Sequence, residues 1–523
     1  MTIGANREDA APPEQARATT DIRAFARGGS LAVAGLAFGA LLQFLVVVVI
    51  TRGLDTGSAG TLLETIAFFT ILSSAGTLGA DIGVVRDIPL LVATGRAGDV
   101  RRLLAVAGYP VAVVGILVAV VSFVAANPLS DALFDPSHSH DGATFIRIVA
   151  PALPLAALTT VALAATRGLG TMVPYVAVQN LVVPAVRVAL VVAAVGADLA
   201  GARIAVAWTL PVAAGALAAF VALRRLVLRV ERSAFSPSGE SSSRISAARF
   251  WGFAAPRGVA SIFEITVLML DVLLVGALRS TREAAVYAAA SRLVIFGGFL
   301  LFAVSRPLAP LFSELLARGD NHAAGALYHI ATWWGMVVAW PLYITCAIFA
   351  VPVMTVFGSG YSAGSTALVI LSLAYLFDLG TGNMNVLLLM SGKSSWNLAN
   401  SALALVLNVG LNIVLIPRMG IEGAAIAWAV SVVAYNLAAV FEIRVLLGLG
   451  PLNSVYTIIV GATVISYGVF GAAARLLFGN STRGLVVAST LGTVLYGMLL
   501  WRWREVLRLR DLAAAIRPSP RRA

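Results

Sequence analysis

The sequence predicts an all-α polytopic membrane protein with about 14 transmembrane helices, arranged as two six-helix bundles followed by two further helices. Three observations lead to this fold class. The 523 residues are 59% hydrophobic and 12% charged, with a mean hydropathy of +0.91, whereas a soluble domain carries about a quarter charged residues. Long apolar runs recur from Leu31 to Leu500. Finally, the second half of the chain repeats features of the first.

Fourteen apolar runs can each cross a bilayer as a helix, because about 20 residues at 1.5 Å per residue span about 30 Å of hydrocarbon. The predicted spans are 29–50, 61–83, 103–125, 144–165, 173–195, 203–223, 252–277, 286–310, 327–349, 365–389, 398–416, 423–443, 455–477 and 484–501. Loops between them are too short for a soluble catalytic domain.

The internal repeat indicates two similar halves in tandem. The matching pairs are GARIAVA at 201–207 with GAAIAWA at 423–429, Gly170 with Gly392, and LVATG at 91–95 with LLARG at 315–319. Six spans separate equivalent points, so the halves are parallel repeats. Two halves that rock about a site between them are typical of transporters.

The positive charges predict the orientation, because Lys and Arg are retained on the cytoplasmic side. Most of the 37 Lys and Arg residues fall in the predicted inner loops and tails, so both termini should be cytoplasmic and the protein a multi-pass protein of the cell membrane. This also explains the net charge of +12 without a nucleic-acid partner. The predicted domains are a tail at 1–24, an N-lobe at 25–230, a cytoplasmic linker at 231–250, a C-lobe at 251–446, two helices at 447–502 and a basic tail at 503–523.

Charged residues inside the spans are the main functional signal, because a charge at mid-bilayer costs about 2.5–3.5 kcal/mol even on the mildest scale. Arg257, Glu264 and Asp271 follow one another at intervals of seven in span 7, which places them on one helix face. Arg292 and Arg306 share a face of span 8. These stripes predict either a hydrated cavity with arginines for a phosphate, or ion pairs that hold helices together.

Other spans carry further candidates. In the first half, Asp81 and Arg86 occur near the end of span 2, while Arg147 and Arg187 lie in spans 4 and 5, near opposite ends. In the second half, Asp378 lies in span 10. We predict a substrate-binding role for Arg86, Arg257, Arg292 and Arg306. We predict ion coupling or charge pairing for Asp81, Glu264, Asp271 and Asp378.

Span 11 carries a stripe of amides at Asn397, Asn400, Asn408 and Asn412. Amides of this kind join helices or bind sugar hydroxyls, and the first reading is favoured. The sequence contains one cysteine, Cys346, and no phosphate-binding loop of the GxxxxGK[ST] type. We therefore expect no metal and no cofactor, and transport driven by an ion gradient, the membrane potential or the substrate gradient.

Several segments resemble the polysaccharide-biosynthesis flippases, the oligosaccharide-lipid branch of the multidrug/oligosaccharidyl-lipid/polysaccharide (MOP) superfamily. The resemblance covers about 25–446 and is carried by three segments: VVITRGLDTGSAGTLLETIAFFTILSSAGTLGADIGVVRDI, LDVLLVGALRSTREAAVYAAASRLV at 270–294, and LLMSGKSSWNLANSALALVLNVGLNIVLIPRMGIEGAAIAWAV at 388–430.

The resemblance implies two six-helix bundles around a central cavity, and movement of a polyprenyl-diphosphate-linked oligosaccharide from the inner to the outer leaflet. It also implies glycosyltransferases and a polysaccharide polymerase as partners of a monomeric carrier. The positions that fit the family's cavity charges are Asp81, Arg86, Asp271, Arg292 and Arg306. Span 1 departs from the pattern, because it has no charge between Gly28 and Thr51.

Two other functions compete with a flippase. An ion-coupled multidrug antiporter of the same fold would favour acidic and aromatic residues in the cavity. A membrane glycosyltransferase or polymerase would need large outer loops, which this chain lacks, so we expect no enzyme activity.

Overall fold

A computed structural model describes residues 35–199, 201–233, 246–305 and 308–505 of the chain. Within these ranges the chain is built from helices. The predicted tail at 1–24, most of the tail at 503–523 and the middle of the predicted linker lie outside the described residues. The helices on either side of that linker reach further than predicted: one continues to Ser233 and the next begins at Ala247.

The helices follow one another along the chain with short connections. In the first half they are α1 (Gly35–Gly53), α2 (Thr56–Gly76), α3 (Ala80–Ala93), α4 (Val100–Val124), α5 (Ala126–Leu133), α6 (Ser139–Val149), α7 (Leu153–Gly168), α8 (Val173–Tyr175), α9 (Val183–Gly196) and α10 (Ala202–Ser233). In the second half they are α11 (Ala247–Leu278), α12 (Thr281–Ser305), α13 (Leu308–Ala317), α14 (Asn321–Ile348), α15 (Ala350–Met354), α16 (Ser365–Thr381), α17 (Met384–Met390), α18 (Ser394–Met419) and α19 (Ile421–Leu447). The chain ends with α20 (Ser454–Thr463), α21 (Phe470–Phe478) and α22 (Thr482–Arg502).

Short irregular helices join some of these elements. Four are 3₁₀ turns, Ala97–Asp99, Ala150–Ala152, Thr355–Phe357 and Ser359–Gly364, and two are π segments, Val176–Val182 and Val464–Val469. The first π segment connects α8 to α9, so one membrane span is α-helical at both ends and wider in the middle. π turns of this kind often occur at functional sites.

The all-helical membrane fold is confirmed. Thirteen helical stretches within the described ranges are long and apolar enough to cross a membrane, and α12 occupies the position of the remaining predicted span, 286–310. The second predicted span is not one helix, because the chain breaks between α2 and α3 at Leu78 (φ 54°) and Gly79 (φ 76°).

The local sequence explains where several helices begin. The Asp55 carboxylate accepts the backbone N–H of Ser58 at 3.0 Å at the start of α2, and Ser246 accepts that of Arg249 at 3.2 Å at the start of α11. These side chains satisfy N–H groups that have no partner within the helix.

The repeat is visible in the backbone. Three pairs of residues with positive φ recur at the repeat spacing of 222 to 224 residues. They are Gly95 (73°) with Gly319 (72°), Gly170 (86°) with Gly392 (83°), and Asp198 (53°) with Gly420 (61°). Positive φ occurs at few positions of the described chain, so three pairs at spacings of 222 to 224 residues support a duplicated structure.

Each half packs mainly on itself. In the first half α7 lies centrally, against α3, α4 and α10. In the second half α16 packs on α12, α14 and α19, and α18 packs on α11 and α19. The helices α20, α21 and α22 form a separate layer that contacts the second half through α14 and α15. Arg475 of α21 ties this layer down by donating to the Ile348 carbonyl oxygen at 2.7 Å.

The two halves meet along the broken second span. α2 packs on α11 and α12, and α3 packs on the first turns of α11. Glycines allow this approach at both ends. A Cβ at Gly60 would lie 2.0 Å from the Thr281 carbonyl oxygen, and one at Gly258 would lie 2.5 Å from the carbonyl carbon of Leu78. We call these two regions the Thr281 end and the Phe250 end, since Phe250 packs beside the second one against Gly83.

We expect Gly258→Ala to lower the thermal unfolding midpoint of the protein in detergent. The added methyl group would meet backbone atoms of Leu78 and Gly79, which cannot move independently of α3, and such overpacking costs about 1–3 kcal/mol. The matched control is Gly252→Ala on the same helix, where a Cβ has no heavy atom within 4 Å. The control should be neutral or stabilising, because alanine is the better helix former. Equal effects of the two changes would contradict this description of the interface.

Candidate functional site

A cavity of about 370 Å³ lies between the two halves. The first half contributes residues of α1, α2, α7, the π segment Val176–Val182, α9 and α10, and the second half contributes residues of α11 and α12. Spans 7 and 8 were predicted to line such a cavity through their charged stripes; α11 and α12 do contribute to its walls, but Arg292 is the one stripe residue among the described residues that lines it. The cavity is in the position expected for a transported substrate in a two-lobed carrier.

The walls of the cavity use equivalent positions of the two repeats. Five pairs that are 222 residues apart both line it: Gln43 with Ile265, Val46 with Leu268, Val47 with Met269, Thr70 with Arg292, and Ser73 with Ile295. The cavity therefore lies on the pseudo-symmetry axis that relates the halves, but the chemistry of the paired side chains differs.

Arg187 brings a positive charge to the first-half wall. It lies on α9, where its Nε donates to the Trp208 carbonyl oxygen at 3.0 Å and its guanidinium carbon is 4.2 Å from the centre of the Trp208 ring. Phe69 packs edge-on against the same ring at 5.4 Å. These contacts fix the guanidinium plane and leave the terminal Nη groups available to a ligand. The side chain is half-buried, and it lines the cavity.

Arg292 brings a second positive charge to the opposite wall. It lies on α12, is half-buried, and its Nη2 is 3.2 Å from the Met269 sulfur. A thioether is a weak acceptor, so this contact positions the guanidinium without neutralising it.

No carboxylate balances these two arginines within the described part of the chain. None of the residues that line the cavity is Asp or Glu, and no described carboxylate oxygen lies within 4 Å of either guanidinium. A buried, unpaired charge costs several kcal/mol, so the cavity must hold water or an anion. This arrangement suits a ligand with at least one phosphate.

The structure separates Asp271 from the arginines. Asp271 is 1% exposed, and it accepts hydrogen bonds from the Tyr287 hydroxyl at 2.7 Å and from the Asn412 amide nitrogen at 2.8 Å. It therefore links α11 to α12 and α18 within the second half. The alternative in which Asp271 pairs with Arg292 or Arg257 does not describe this conformation.

Glu264 and Asp378 line a second cavity of about 260 Å³ inside the second half, together with Ser401, Trp428 and Tyr435. The Asn436 amide nitrogen donates to Asp378 at 2.7 Å. This cavity is acidic and aromatic, in contrast to the central one.

The remaining predicted residues lie elsewhere. Arg86 and Arg257 are both near the Phe253 ring, with guanidinium carbons 3.6 and 4.7 Å from its centre, and Arg86 also pairs with Asp87 at 2.6 Å. This cluster is at the Phe250 end and is not part of the central cavity wall. Asp81 lies on α3, also away from that wall, and Arg306 lies outside the described residues.

The amides of α18 mostly join helices, in agreement with the favoured interpretation. Asn400 donates to Glu442 of α19 at 2.7 Å, and Asn397 accepts from Tyr435 of α19 at 3.4 Å. None of the four asparagines lines the central cavity.

Arg187 was not among the predicted site residues. Its position near one end of a predicted span made it similar to Arg147, which binds the Asn127 amide oxygen at 2.9 Å on an exposed surface. Arg187 could have been found by the same feature that identified Arg292, because each is a single arginine inside a long apolar run.

A polar contact closes the Thr281 end between the halves. Asp135, in the loop between α5 and α6, accepts the backbone N–H of Thr281 at 3.0 Å, and its own N–H lies 3.4 Å from the Thr281 hydroxyl. Burial alone would raise the pKa of Asp135. Hydrogen bonds from Ser137, from Thr281 and from His138 outweigh burial and hold the pKa well below its usual value of 3.8.

Two further residues reinforce the same end. Arg52 of α1 donates to the Val356 carbonyl oxygen at 2.6 Å, a second polar link between the halves. Glu64 of α2 is fully buried beside Gly276 of α11, whose Cβ, if present, would be 2.3 Å from a Glu64 carboxylate oxygen. The fit of Glu64 therefore depends on glycine at 276.

Residues 256–414, from α11 into α18, match the family model MatE. No curated protein matches the sequence. A structure of the lipid II flippase MurJ in an inward closed conformation has the same fold, with a TM-score of 0.70 over 91% of this chain and 99% of that chain at 10% identity. An inward-facing structure of a multidrug resistance MATE family transporter of the MOP superfamily has a TM-score of 0.65, over 80% of this chain and 98% of that chain, at 13% identity. A mutant of the Vibrio cholerae MATE transporter VcmN has a TM-score of 0.55, over 84% of this chain and 100% of that chain, at 17% identity.

The partial family match, the fold and the cavity between the halves define a class: a polytopic, all-helical membrane protein with a fold similar to that of MurJ and the MATE transporters. Within that class its fold is similar both to a lipid flippase and to multidrug transporters.

We expect Asp135→Asn to destabilise the protein by about 1–2 kcal/mol near neutral pH, because the carboxylate caps the N-terminus of α12 with a charge-assisted hydrogen bond. The lowered pKa fixes the pH dependence. The stabilisation is complete above the unfolded value of 3.8 and is lost as the pH falls below it. The difference in unfolding midpoint between the wild type and the variant should therefore be constant from pH 8 to 5 and shrink below about pH 4.

The control is Asp198→Asn, at an exposed residue of positive φ that asparagine tolerates. It should leave the midpoint unchanged. A wild-type advantage over Asp135→Asn that already disappears near pH 6 would contradict the assignment.

Proposed function

We propose that the protein is a flippase that moves a polyprenyl-diphosphate-linked oligosaccharide from the inner to the outer leaflet of the cell membrane. The observation that carries the proposal is the pair Arg187 and Arg292, which face one cavity from opposite halves with no carboxylate in its lining. An anionic headgroup supplies the missing counter-charge, while its polyprenyl tail remains in the bilayer.

A diphosphate fits these arginines chemically. The planar guanidinium presents paired N–H donors that match two oxygens of one phosphate. Since Nε of Arg187 is committed to the Trp208 carbonyl, that arginine offers its two Nη groups. Arg292, held by a weak sulfur contact, offers nearly all of its donors. One headgroup held from both sides would draw the halves together.

The proposed movement is alternating access between an N-lobe at 25–230 and a C-lobe at 251–446. The polar contacts of Asp135 and Arg52 would open for release at the Thr281 end, and the α3–α11 contact would open for loading at the Phe250 end, where Arg86 and Arg257 would meet the incoming headgroup. With cytoplasmic termini, an inside-negative potential favours the outward movement of a negative headgroup by about 2.3 kcal/mol per charge per 100 mV. The lipid II flippase supports this proposal through its fold. Glycosyltransferases and a polysaccharide polymerase would supply and consume the glycan.

A second candidate function is ion-coupled antiport of cationic drugs, which the similarity in fold to a multidrug resistance MATE family transporter suggests. The acidic, aromatic cavity around Glu264 and Asp378 favours it, because carboxylates and aromatic faces attract cations. The same cavity can serve a flippase as its coupling site, with Asp271 and Asp81 as further candidates. The cationic central cavity would repel a cationic drug, so the flippase is the better proposal.

We expect Arg292→Ala and Arg187→Ala each to lower transport of a labelled polyprenyl-diphosphate sugar to the outer leaflet of vesicles by about tenfold to a hundredfold. This corresponds to the loss of charged hydrogen bonds worth about 1.5–3 kcal/mol. Arg292→Lys should recover part of the rate, because it keeps the charge but loses the paired donors. The control is Arg483→Ala, at an exposed position on α22. Full transport by both alanine variants would sink the proposal.

Ion coupling has a separate readout. We expect an imposed proton or sodium gradient to accelerate transport by the wild type, and this stimulation to disappear in Glu264→Gln and Asp378→Asn while the basal rate persists. Asp141→Asn, at an exposed side chain, is the control. Undiminished stimulation in both variants would exclude this cavity as the coupling site. If the protein is a drug antiporter, the same vesicles will instead transport a cationic dye in a gradient-dependent way and leave the lipid-linked sugar in place.

A further inference from the structure

Apart from Arg187, the first-half wall of the central cavity is rich in polar side chains that carry no charge. Gln43 of α1, Thr70 and Ser73 of α2, Thr160 of α7 and Gln179 of the π segment all line it. The second-half wall, apart from Arg292, is apolar and consists of Ile265, Leu268, Met269, Ile295 and Phe296. The two walls therefore suit different parts of a ligand.

The two glutamines have unused hydrogen-bonding groups. Both side chains are exposed, although they lie in membrane-spanning helices, because they face the cavity. No residue of the described ranges forms a hydrogen bond with either amide. Each amide has two N–H donors and a carbonyl acceptor, and leaving such groups in an apolar setting without partners is unfavourable. A polar ligand or water must satisfy them.

The hydroxyl groups of the same wall add acceptors. Thr70 donates to the Ile66 carbonyl oxygen at 2.7 Å, Ser73 to that of Thr70 at 3.2 Å, and Thr160 to that of Ala156 at 3.0 Å. Their protons are therefore committed to their own helices, while lone pairs on the oxygens remain free. A sugar, whose hydroxyls both donate and accept, matches this combination of donors and acceptors.

The two helices that carry the glutamines lie in close backbone contact. A Cβ at Gly35 would collide with Val176, and one at Gly39 would be 2.6 Å from the Asn180 carbonyl oxygen, so α1 lies directly on the π segment. Gly35, Gly39 and Gln43 recur every four residues and share one face of α1. Gln179 precedes Asn180. The close contact thus places one glutamine on each side of the α1–π junction.

Cavity size limits the ligand. Pockets for small molecules commonly enclose about 300–1,000 Å³, and about 370 Å³ is near the lower end. A diphosphate and one adjoining sugar fit this space, whereas a long oligosaccharide must extend beyond it.

We infer that the first-half wall, through Gln43, Gln179 and the hydroxyl oxygens of Thr70, Ser73 and Thr160, binds the uncharged reducing-end sugar of the glycan. This inference rests on the proposed function, in which the arginines hold the diphosphate. This first-half wall is a specificity site. It favours binding of a glycosylated lipid diphosphate over a lipid diphosphate without a sugar, and it does not contact the distal sugars.

The experiment compares binding of farnesyl diphosphate with binding of the same diphosphate carrying one glucose, galactose or N-acetylglucosamine, using the full-length protein in detergent. We expect at least one glycosylated probe to bind the wild type about tenfold more tightly than farnesyl diphosphate, as two net hydrogen bonds allow. Gln43→Leu and Gln179→Leu should each reduce that advantage to about twofold or less and leave the affinity for farnesyl diphosphate unchanged. Thr490→Leu, at an exposed position of α22, should keep the full advantage.

The outcomes separate the two hypotheses. If no glycosylated probe binds more tightly than farnesyl diphosphate, or if the advantage survives both leucine variants, the sugar site is refuted while the diphosphate site stands. If farnesyl diphosphate itself does not bind, or binds equally well to Arg187→Ala and Arg292→Ala, the proposed function fails. Parallel circular dichroism spectra confirm that each variant is folded.

Discussion

A guanidinium surrounded by hydrocarbon must meet a carboxylate, water or an anion, and this requirement shapes the centre of the protein. Asp271 is already satisfied by Tyr287 and Asn412, so it leaves Arg292 to the cavity. Trp208 occupies one edge and one face of Arg187 and turns the rest of that side chain inwards. Glu264 and Asp378 of the second half line a cavity of their own. The two arginines and these two carboxylates thus line separate cavities, one between the halves and one inside the second half.

The broken second span provides the frame for this separation. Glycines at both ends of the interface let α2 and α3 lie against α11 and α12 at backbone distance, which keeps the walls of the central cavity close. At the Thr281 end, hydrogen bonds made by Asp135 and Arg52 also join the two halves. The halves are therefore held by close van der Waals packing at both ends and by hydrogen bonds mainly at one.

Much of this fold could be predicted from the sequence, because bilayer thickness sets helix length and the repeat sets the order of helices. Arg292 was found because a charge in an apolar run is costly wherever it occurs. The residues that pair with each charged side chain could not be predicted in the same way. Spacing along a helix shows which residues share a face, but it does not show how that helix is rotated against its neighbours, and this rotation sends Asp271 to Asn412 and Glu264 towards Asp378. The break at Leu78, the π segment and the role of Arg187 depend on tertiary packing as well.

The repeat places Gln43 opposite Ile265 and Thr70 opposite Arg292. A cavity whose walls were identical copies would accept an elongated ligand equally well in either of two orientations related by the pseudo-symmetry axis. Divergence at these few positions removes that degeneracy. Under the proposed function, a headgroup with a charged end and a hydroxylated end would have one preferred orientation, and its lipid tail would leave the protein in a defined direction. The duplicated halves form the cavity, and the differences between their paired side chains make its two walls chemically distinct.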